Sequence, residues 1–230
     1  MKNESGLWKL SPSGLYNYEQ CKACFWLEQH YGRAPMIPFV LNSAMDSVLK
    51  ARYDLFRSYG GLPPEIEALT KEGVKPFTDT VKLNKWRSYS SSLAFSNVQH
   101  GYELAGKVDE ILIEPDKRLI PTDFKTSGYM PKADKQKYYI SQLNAYALML
   151  QEAGEVVSDR AILIHYYIKN VRDTSISVEF LAHTDMVKLD VTAFKEKLKS
   201  MVALLNAPYP GDGEGCDTCA YHKGRVGAII

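Results

Sequence analysis

The chain has 230 residues, of which 45% are hydrophobic and 24% charged, and its formal net charge is +1 at pH 7. That is enough apolar material for a full core in one domain, or in one domain with appendages. The near-neutral balance excludes a uniformly basic surface, so any nucleic-acid contact must rest on local clusters of positive charge.

No run approaches the roughly 20 apolar residues of a membrane helix. Met1-Lys2-Asn3-Glu4-Ser5 is polar and holds no apolar signal core, so a cytoplasmic protein is the default expectation. In chain order, Ser11 or Ser13 caps a short first helix that runs to about Glu19. Cys21-Lys22-Ala23-Cys24 follows. Residues 39–59 carry the next helix, with Leu41, Met45, Val48, Leu49, Leu55 and Phe56 as its expected buried stripe. Gly60-Gly61 ends it. Residues 61–76 read as loop with a helical turn over 65–70, and residues 81–91 as a helix.

Residues 102–113 and 119–125 are rich in Val, Ile, Leu and Phe and flank Glu114-Pro115-Asp116-Lys117-Arg118, a strand–turn–strand signal. A three-residue loop, Pro115-Asp116-Lys117, pairs Glu114 with Arg118. Counting back sets Asp109 directly opposite Asp123, on one face, with Cβ atoms roughly 4.5–5.5 Å apart. Lys125, two residues beyond Asp123, points the same way. A shorter or longer loop destroys this register. Two carboxylates are hard oxygen ligands suited to Mg²⁺ or Mn²⁺. Such a metal polarises a phosphoryl group and acidifies bound water, and Lys125 can orient that water or stabilise developing charge. The same residues also fit a surface hairpin with solvated charges.

Residues 134–153 have the length and composition of a helix, with Leu143, Ala147 and Leu150 as an apolar stripe and Gly154 as its stop. Gln142 and Tyr146 lie one turn apart on one face. Residues 160–168 and 174–182 read as two strands joined by a charged turn, with His165 a half-buried strand residue. Residues 185–206 read as a helix capped by Thr184, burying most of Met186, Leu189, Leu198, Met201, Val202 and Leu205. A Pro/Gly-rich loop, 208–215, delivers Cys216-Asp217-Thr218-Cys219. The alternation gives an α/β or α+β fold, a central mixed β-sheet flanked by helices.

All four cysteines fall in two Cys-x-x-Cys pairs, one near each end of the chain. Four such thiolates make a tetrahedral zinc site or hold a four-iron four-sulfur cluster. Either joins the first and last segments and closes a very long loop. A Cys-x-x-Cys redox protein is a rival, opposed by the lack of a βαβ context around either pair. Lys132, Lys135 and Lys137, and Lys169 with Arg172, are candidate cationic clusters. So are Lys82, Lys85 and Arg87, beside Trp86 and Tyr89, aromatics able to stack on unpaired bases. Each cluster also fits a solvated charged face.

Gly106-x-x-Asp109, Asp123-Phe124-Lys125-Thr126-Ser127 and Gln142-x-x-x-Tyr146 occur in that order. In this the chain resembles the RecB-like branch of the PD-(D/E)xK nuclease superfamily, which includes the nuclease domains of recombination helicase–nucleases and the small exonucleases of CRISPR adaptation. The resemblance spans most of the chain and implies a restriction-endonuclease-like core in a single domain over residues 1–230. It implies a metal held by Asp109 and Asp123, with the backbone carbonyl of Phe124 completing the shell. Lys125 is then the catalytic lysine, and Gln142 and Tyr146 position the site and DNA.

The family often carries a histidine ligand on an early helix; the corresponding place here is Asn42-Ser43-Ala44-Met45-Asp46, so Asp46 stands where that ligand does. Asp46 as a solvated helix residue is the alternative. Several RecB-like nucleases staple their termini with an iron–sulfur cluster through one early and three late cysteines; this chain has two and two, which keeps zinc open. The implied activity is Mg- or Mn-dependent hydrolysis of DNA, as an exonuclease on ends or single strands. A helicase, recombination or defence complex is the implied partner. The alternative is a DNA-binding or scaffold subunit that kept the fold and cuts poorly.

Overall fold

A computed structural model describes residues 1–33, 40–88, 93–132, 134–169 and 178–227. Phe39, Tyr89, Ser91 and Arg172, and the start of the strand expected from residue 174, lie outside the described residues.

Two mixed sheets organise the chain. The smaller places β4 (Tyr102–Gly106) between β1 (Trp8–Leu10), which is parallel to it, and β3 (Leu93–Asn97), which is antiparallel. The larger runs in the order β2 (Lys75–Pro76), β5 (Glu110–Ile113), β6 (Leu119–Ser127), β7 (Arg160–Ile168) and β8 (Phe180–Lys188). Only the β6–β7 pair in this sheet is parallel. The helices are α1 (Leu15–Gln20), α2 (Lys22–Tyr31), α3 (Val40–Ser58), α4 (Thr80–Arg87), α5 (Ile140–Glu152), α6 (Val191–Asn206) and α7 (Asp217–Gly227).

Alternation along the strands sorts the larger sheet into two faces. Ile111, Leu119, Ala161 and Leu163 join the core beneath α5 and α6. Leu112, Ile120, Phe124, Ile162, Ile164 and Tyr166 pack against Leu49 and Tyr53 of α3. Helix α5 packs against both sheets, so Leu143 through Leu150 are all buried. A helix enclosed in this way needs apolar residues around its whole circumference, which explains why its burial goes beyond the expected stripe. Its first turn, Lys135–Tyr139, is a 3-10 helix, and Gly154 supplies the stop at φ +88°.

Four expectations are corrected. Residues 102–113 form two strands in different sheets, because the backbone between them bonds elsewhere. The Val108 amide donates to the Trp86 carbonyl (3.1 Å), and the Asp109 carbonyl accepts from Arg87 Nε (2.8 Å). On α3, Leu41, Val48 and Leu55 are exposed, and the buried side chains are Leu49, Tyr53 and Arg57. Thr184 is no helix cap: residues through Lys188 pair along the whole of β7, and Asp190 caps α6 by accepting from the Ala193 amide at 2.8 Å. Met186 is accordingly exposed on a strand. His165 is fully buried rather than half-buried.

At the other end of the chain, Ser11 accepts from the Gly14 amide and starts a 3-10 turn that leads into α1. No helix among the described residues is long and apolar enough to cross a membrane.

Candidate active site

The hairpin register is the expected one. Ile113 faces Leu119 and Glu110 faces Thr122, and the Glu114 amide bonds the Arg118 carbonyl (2.9 Å) across a turn in which Lys117 adopts φ +73°. One step past Glu110, Asp109 leaves the ladder. Its Oδ2 accepts from the Phe124 amide (3.1 Å), so a side chain takes over where the backbone pairing stops.

Asp123 lies on the α5 face of β6 and has no exposed surface. Its Oδ1 accepts from Gln142 Nε2 (3.0 Å) and from the Tyr146 hydroxyl (3.2 Å), one turn apart on α5. Its Oδ2 meets the Lys125 ammonium, and Lys125 also lies 5.0 Å from the centre of the Tyr139 ring. Asp46, Asp109, Phe124, Lys125, Gln142 and Tyr146 all line one cleft of about 750 Å³.

The two carboxyls titrate as a pair with opposite tendencies. Burial pushes Asp123 up to about 7, with Lys125 opposing and the Asp109 charge adding to the rise. Burial acts upward on Asp109 too, but the Lys50 and Lys125 ammonium groups and the Phe124 amide outweigh it and hold that carboxyl below its usual range. Burial acts to lower Lys125, yet Asp123 and Asp109 raise it, so it is a cation. Burial and the nearby carboxylates keep Tyr146 a neutral phenol that donates.

Asp46 reaches the cleft, but its carboxylate is tied to Lys50 Nζ (2.8 Å), which also lies 3.2 Å from Asp109 Oδ1. Lys50, on the same face of α3 one turn after Asp46, was not singled out from the sequence; its i,i+4 spacing from Asp46 was the available signal. Arg87, expected among the DNA-facing cations, instead bonds Glu110, Asp54 and the Asp109 carbonyl. Trp86 is buried against Phe77 and offers no ring for stacking. Lys82 pairs with Glu155 and Lys169 with Glu179. Glu110, with Arg57 and Arg87, forms a buried ion group behind Asp109 that the sequence reading also missed.

The four cysteines meet as expected and are unbonded. Sγ–Sγ separations are 3.7 Å for Cys21–Cys219 and 3.6 Å for both Cys24–Cys216 and Cys24–Cys219. Among the described residues they are the one group of three or more His, Cys, Asp or Glu whose ligand atoms converge within 4.8 Å. The Gly213 amide points at Cys219 Sγ (3.4 Å), and a Cβ at Gly213 would sit 2.5 Å from Cys21 Sγ. The Cys219 backbone amide brings the Cys216 thiol down to about 7.

A family model described as the PD-(D/E)XK nuclease superfamily matches residues 42–223. The chain belongs to the PD-(D/E)XK nuclease superfamily. Its mixed sheets flanked by helices are consistent with the restriction-endonuclease-like fold of that superfamily. No curated protein matches the chain. The solved structure of SSO0001, an archaeal protein, is similar with a TM-score of 0.42 at 16% identity, covering 91% of this chain and 81% of that one.

Within the superfamily frame, the donor set fits a hard divalent cation. Asp109 and Asp123 supply carboxylate oxygens, and among the described residues the buried Asp123 Oδ2 has no hydrogen-bond partner and is met by the Lys125 ammonium. The cysteine cage fits a thiolate-bound metal, since every ligand is sulfur and the nearest glycine leaves room for nothing larger than hydrogen.

Proposed function

We propose that the chain is a metal-dependent deoxyribonuclease, an exonuclease acting on DNA ends or single strands. The observation that carries this is the Asp109–Asp123–Lys125 group: Asp109 and Lys125 line an open cleft, and Asp123 is buried against Lys125. Asp109 and Asp123 are the ligands of Mg²⁺ or Mn²⁺, with the Phe124 carbonyl as a further donor. Once bound, the metal offsets both carboxylates and polarises the phosphate.

The chain's own groups do the rest. Lys125, paired with Asp123, donates toward a phosphate oxygen and stabilises charge there, or orients the attacking water. Gln142 and Tyr146 fix Asp123 by donating to its Oδ1; its Oδ2, which meets Lys125, would be the metal-binding oxygen. Asp46, paired with Lys50 in the structure, would be the third donor.

The decisive assay uses end-labelled single- and double-stranded DNA with Mg²⁺, Mn²⁺ or EDTA, beside Lys125→Ala and Asp109→Ala. Metal-dependent cleavage lost in both variants is expected, and unchanged cleavage in either would sink the assignment. One observation favours the second reading, a DNA-binding subunit that cuts poorly: Lys50 bridges Asp46 and Asp109. Metal binding without turnover supports that reading.

The chain is read as one nuclease-like domain closed by the cysteine site, acting in the cytoplasm with a helicase, recombination or defence complex. The resemblance implies a four-iron four-sulfur cluster, whereas the sulfur spacing fits a single ion. A tetrahedron with Zn–S near 2.3 Å has edges of about 3.8 Å, and a cubane, with each thiolate on a different iron, needs them further apart. Metal analysis with an absorption spectrum separates the two: one zinc and no colour, or iron and absorbance at about 400 nm.

A further inference from the structure

A second cleft, of about 550 Å³, adjoins the carboxylates and shares Pro12, Ser13, Lys125 and Gln142 with the first. Tyr16, Tyr138, Tyr139 and Lys135 also line it. Tyr16 comes from α1 and Tyr138 from the 3-10 turn before α5, and their rings meet edge to face with centroids 5.9 Å apart. They are not core residues: Tyr16 is 40% and Tyr138 36% exposed, against 2–3% for Tyr53, Tyr102 and Tyr146. Cations flank them: Lys137, paired with Asp134, has its Nζ 5.1 Å from the Tyr138 ring centre, and Lys125, paired with Asp123, lies 5.0 Å from that of Tyr139.

Half-exposed aromatic faces among ammonium groups suit an unpaired nucleobase. Stacking on a ring is tolerant of sequence because every base has a π-face, and the cations hold the phosphodiester backbone. A base locked in a duplex cannot present that face. Because Lys125 and Gln142 belong to both clefts, a base bound in the second lies beside the phosphate bound in the first.

We propose that Tyr16 and Tyr138 form a stacking subsite for one unpaired base next to the scissile phosphate, with Lys135 toward the backbone. This rests on the nuclease reading above and gives it a substrate class: strands with unpaired ends, with little preference among bases.

The test is fluorescence anisotropy of the full chain with internally labelled single-stranded DNA in EDTA, which prevents cleavage. A series of strands carries one abasic site at successive positions from each end. For the wild type, an abasic site at one position is expected to weaken binding about tenfold. In Tyr16→Ala/Tyr138→Ala the intact strand binds as weakly as that, and the abasic site costs nothing more, while the double Phe variant behaves as wild type. A flat abasic scan on the wild type, which needs no variant, overturns the subsite. So does an abasic penalty of the same size in the Ala and wild-type proteins. If the wild type binds no DNA at all, the nuclease reading itself fails, a result distinct from either.

Discussion

Lys50 holds Asp109 from across the cleft: its ammonium, on α3, lies 3.2 Å from Asp109 Oδ1, on the segment before β5. The same ammonium holds Asp46 at 2.8 Å, so a cation of the chain sits among the oxygens offered to a divalent metal. Lys50→Met is expected to tighten Mn²⁺ binding about tenfold, on the order of 1 kcal/mol, because a competing partly buried charge is gone. Titration calorimetry reads this directly. Unchanged or weaker binding would show that Lys50 does not compete with the metal.

Burial imposes a penalty on the Asp123 carboxylate that a bound metal would relieve. Its folded pKa of about 7 stands above the ordinary 3.8, so the group favours folding fully below pH 3.8 and that contribution is lost as pH rises through 7. Asp123→Asn is expected to raise metal-free stability above pH 7 by about 1–2 kcal/mol, less than the full shift because Lys125 loses its partner. Near pH 4 the two proteins match. Mg²⁺ raises the melting temperature of the wild type and leaves the variant unmoved. Urea unfolding at both pH values, with and without Mg²⁺, tests each part.

His165 is buried, and among the described residues neither ring nitrogen has a hydrogen-bond partner, Asp185 being 3.9 Å away. Burial, aided by Lys135, Lys125 and His183 and opposed by Asp185, lowers its pKa to about 4 from 6.5. The unfolded chain binds the extra proton between those values, so this contribution is full above pH 6.5 and falls away toward pH 4, by about 3 kcal/mol. His165→Leu is expected to lose less stability than the wild type on going from pH 7.5 to 4.5. Parallel acid limbs in denaturant unfolding would refute this.

Gly106 marks the place where the chain leaves one sheet for the other. A Cβ there would lie 2.6 Å from two ring carbons of Pro12 and 3.2 Å from Met149 Cε. Gly106→Val is therefore expected to destabilise by about 2–3 kcal/mol, and to weaken metal binding by displacing Asp109. Thermal unfolding and calorimetry together check it; a variant as stable as wild type contradicts the packing argument.

The cysteine site ties α2 to α7. For the metal-filled cage proposed above, stripping the metal with a chelator, or Cys24→Ser, is expected to lower the melting temperature and expose residues near both ends to protease first, since closure of a long loop is lost. Limited proteolysis followed by mass measurement locates the cuts.

Much of the site was legible in the sequence because its couplings are short-range. The three-residue turn fixed the hairpin register from Ile113–Leu119 to Glu110–Thr122, one step short of Asp109, period two put Lys125 beside Asp123, and a single helical turn aligned Gln142 with Tyr146. The paired cysteines announced their own cage. Other features depend on contacts between residues far apart in sequence. Pro12 against Gly106 and Arg87 on the Asp109 carbonyl break what reads as one strand. The free edge of β7 draws residues 185–188 into a strand that local capping signals assign to a helix. The sequence alone determined which groups share a face along a helix or across a hairpin, since backbone periodicity dictates that. Only the tertiary structure decided that Lys50 meets Asp109, that Tyr16 meets Tyr138 and that His165 is sealed from water. Those relationships come from the packing of helices on sheets, where burial and charge pairing between distant segments outweigh local preference.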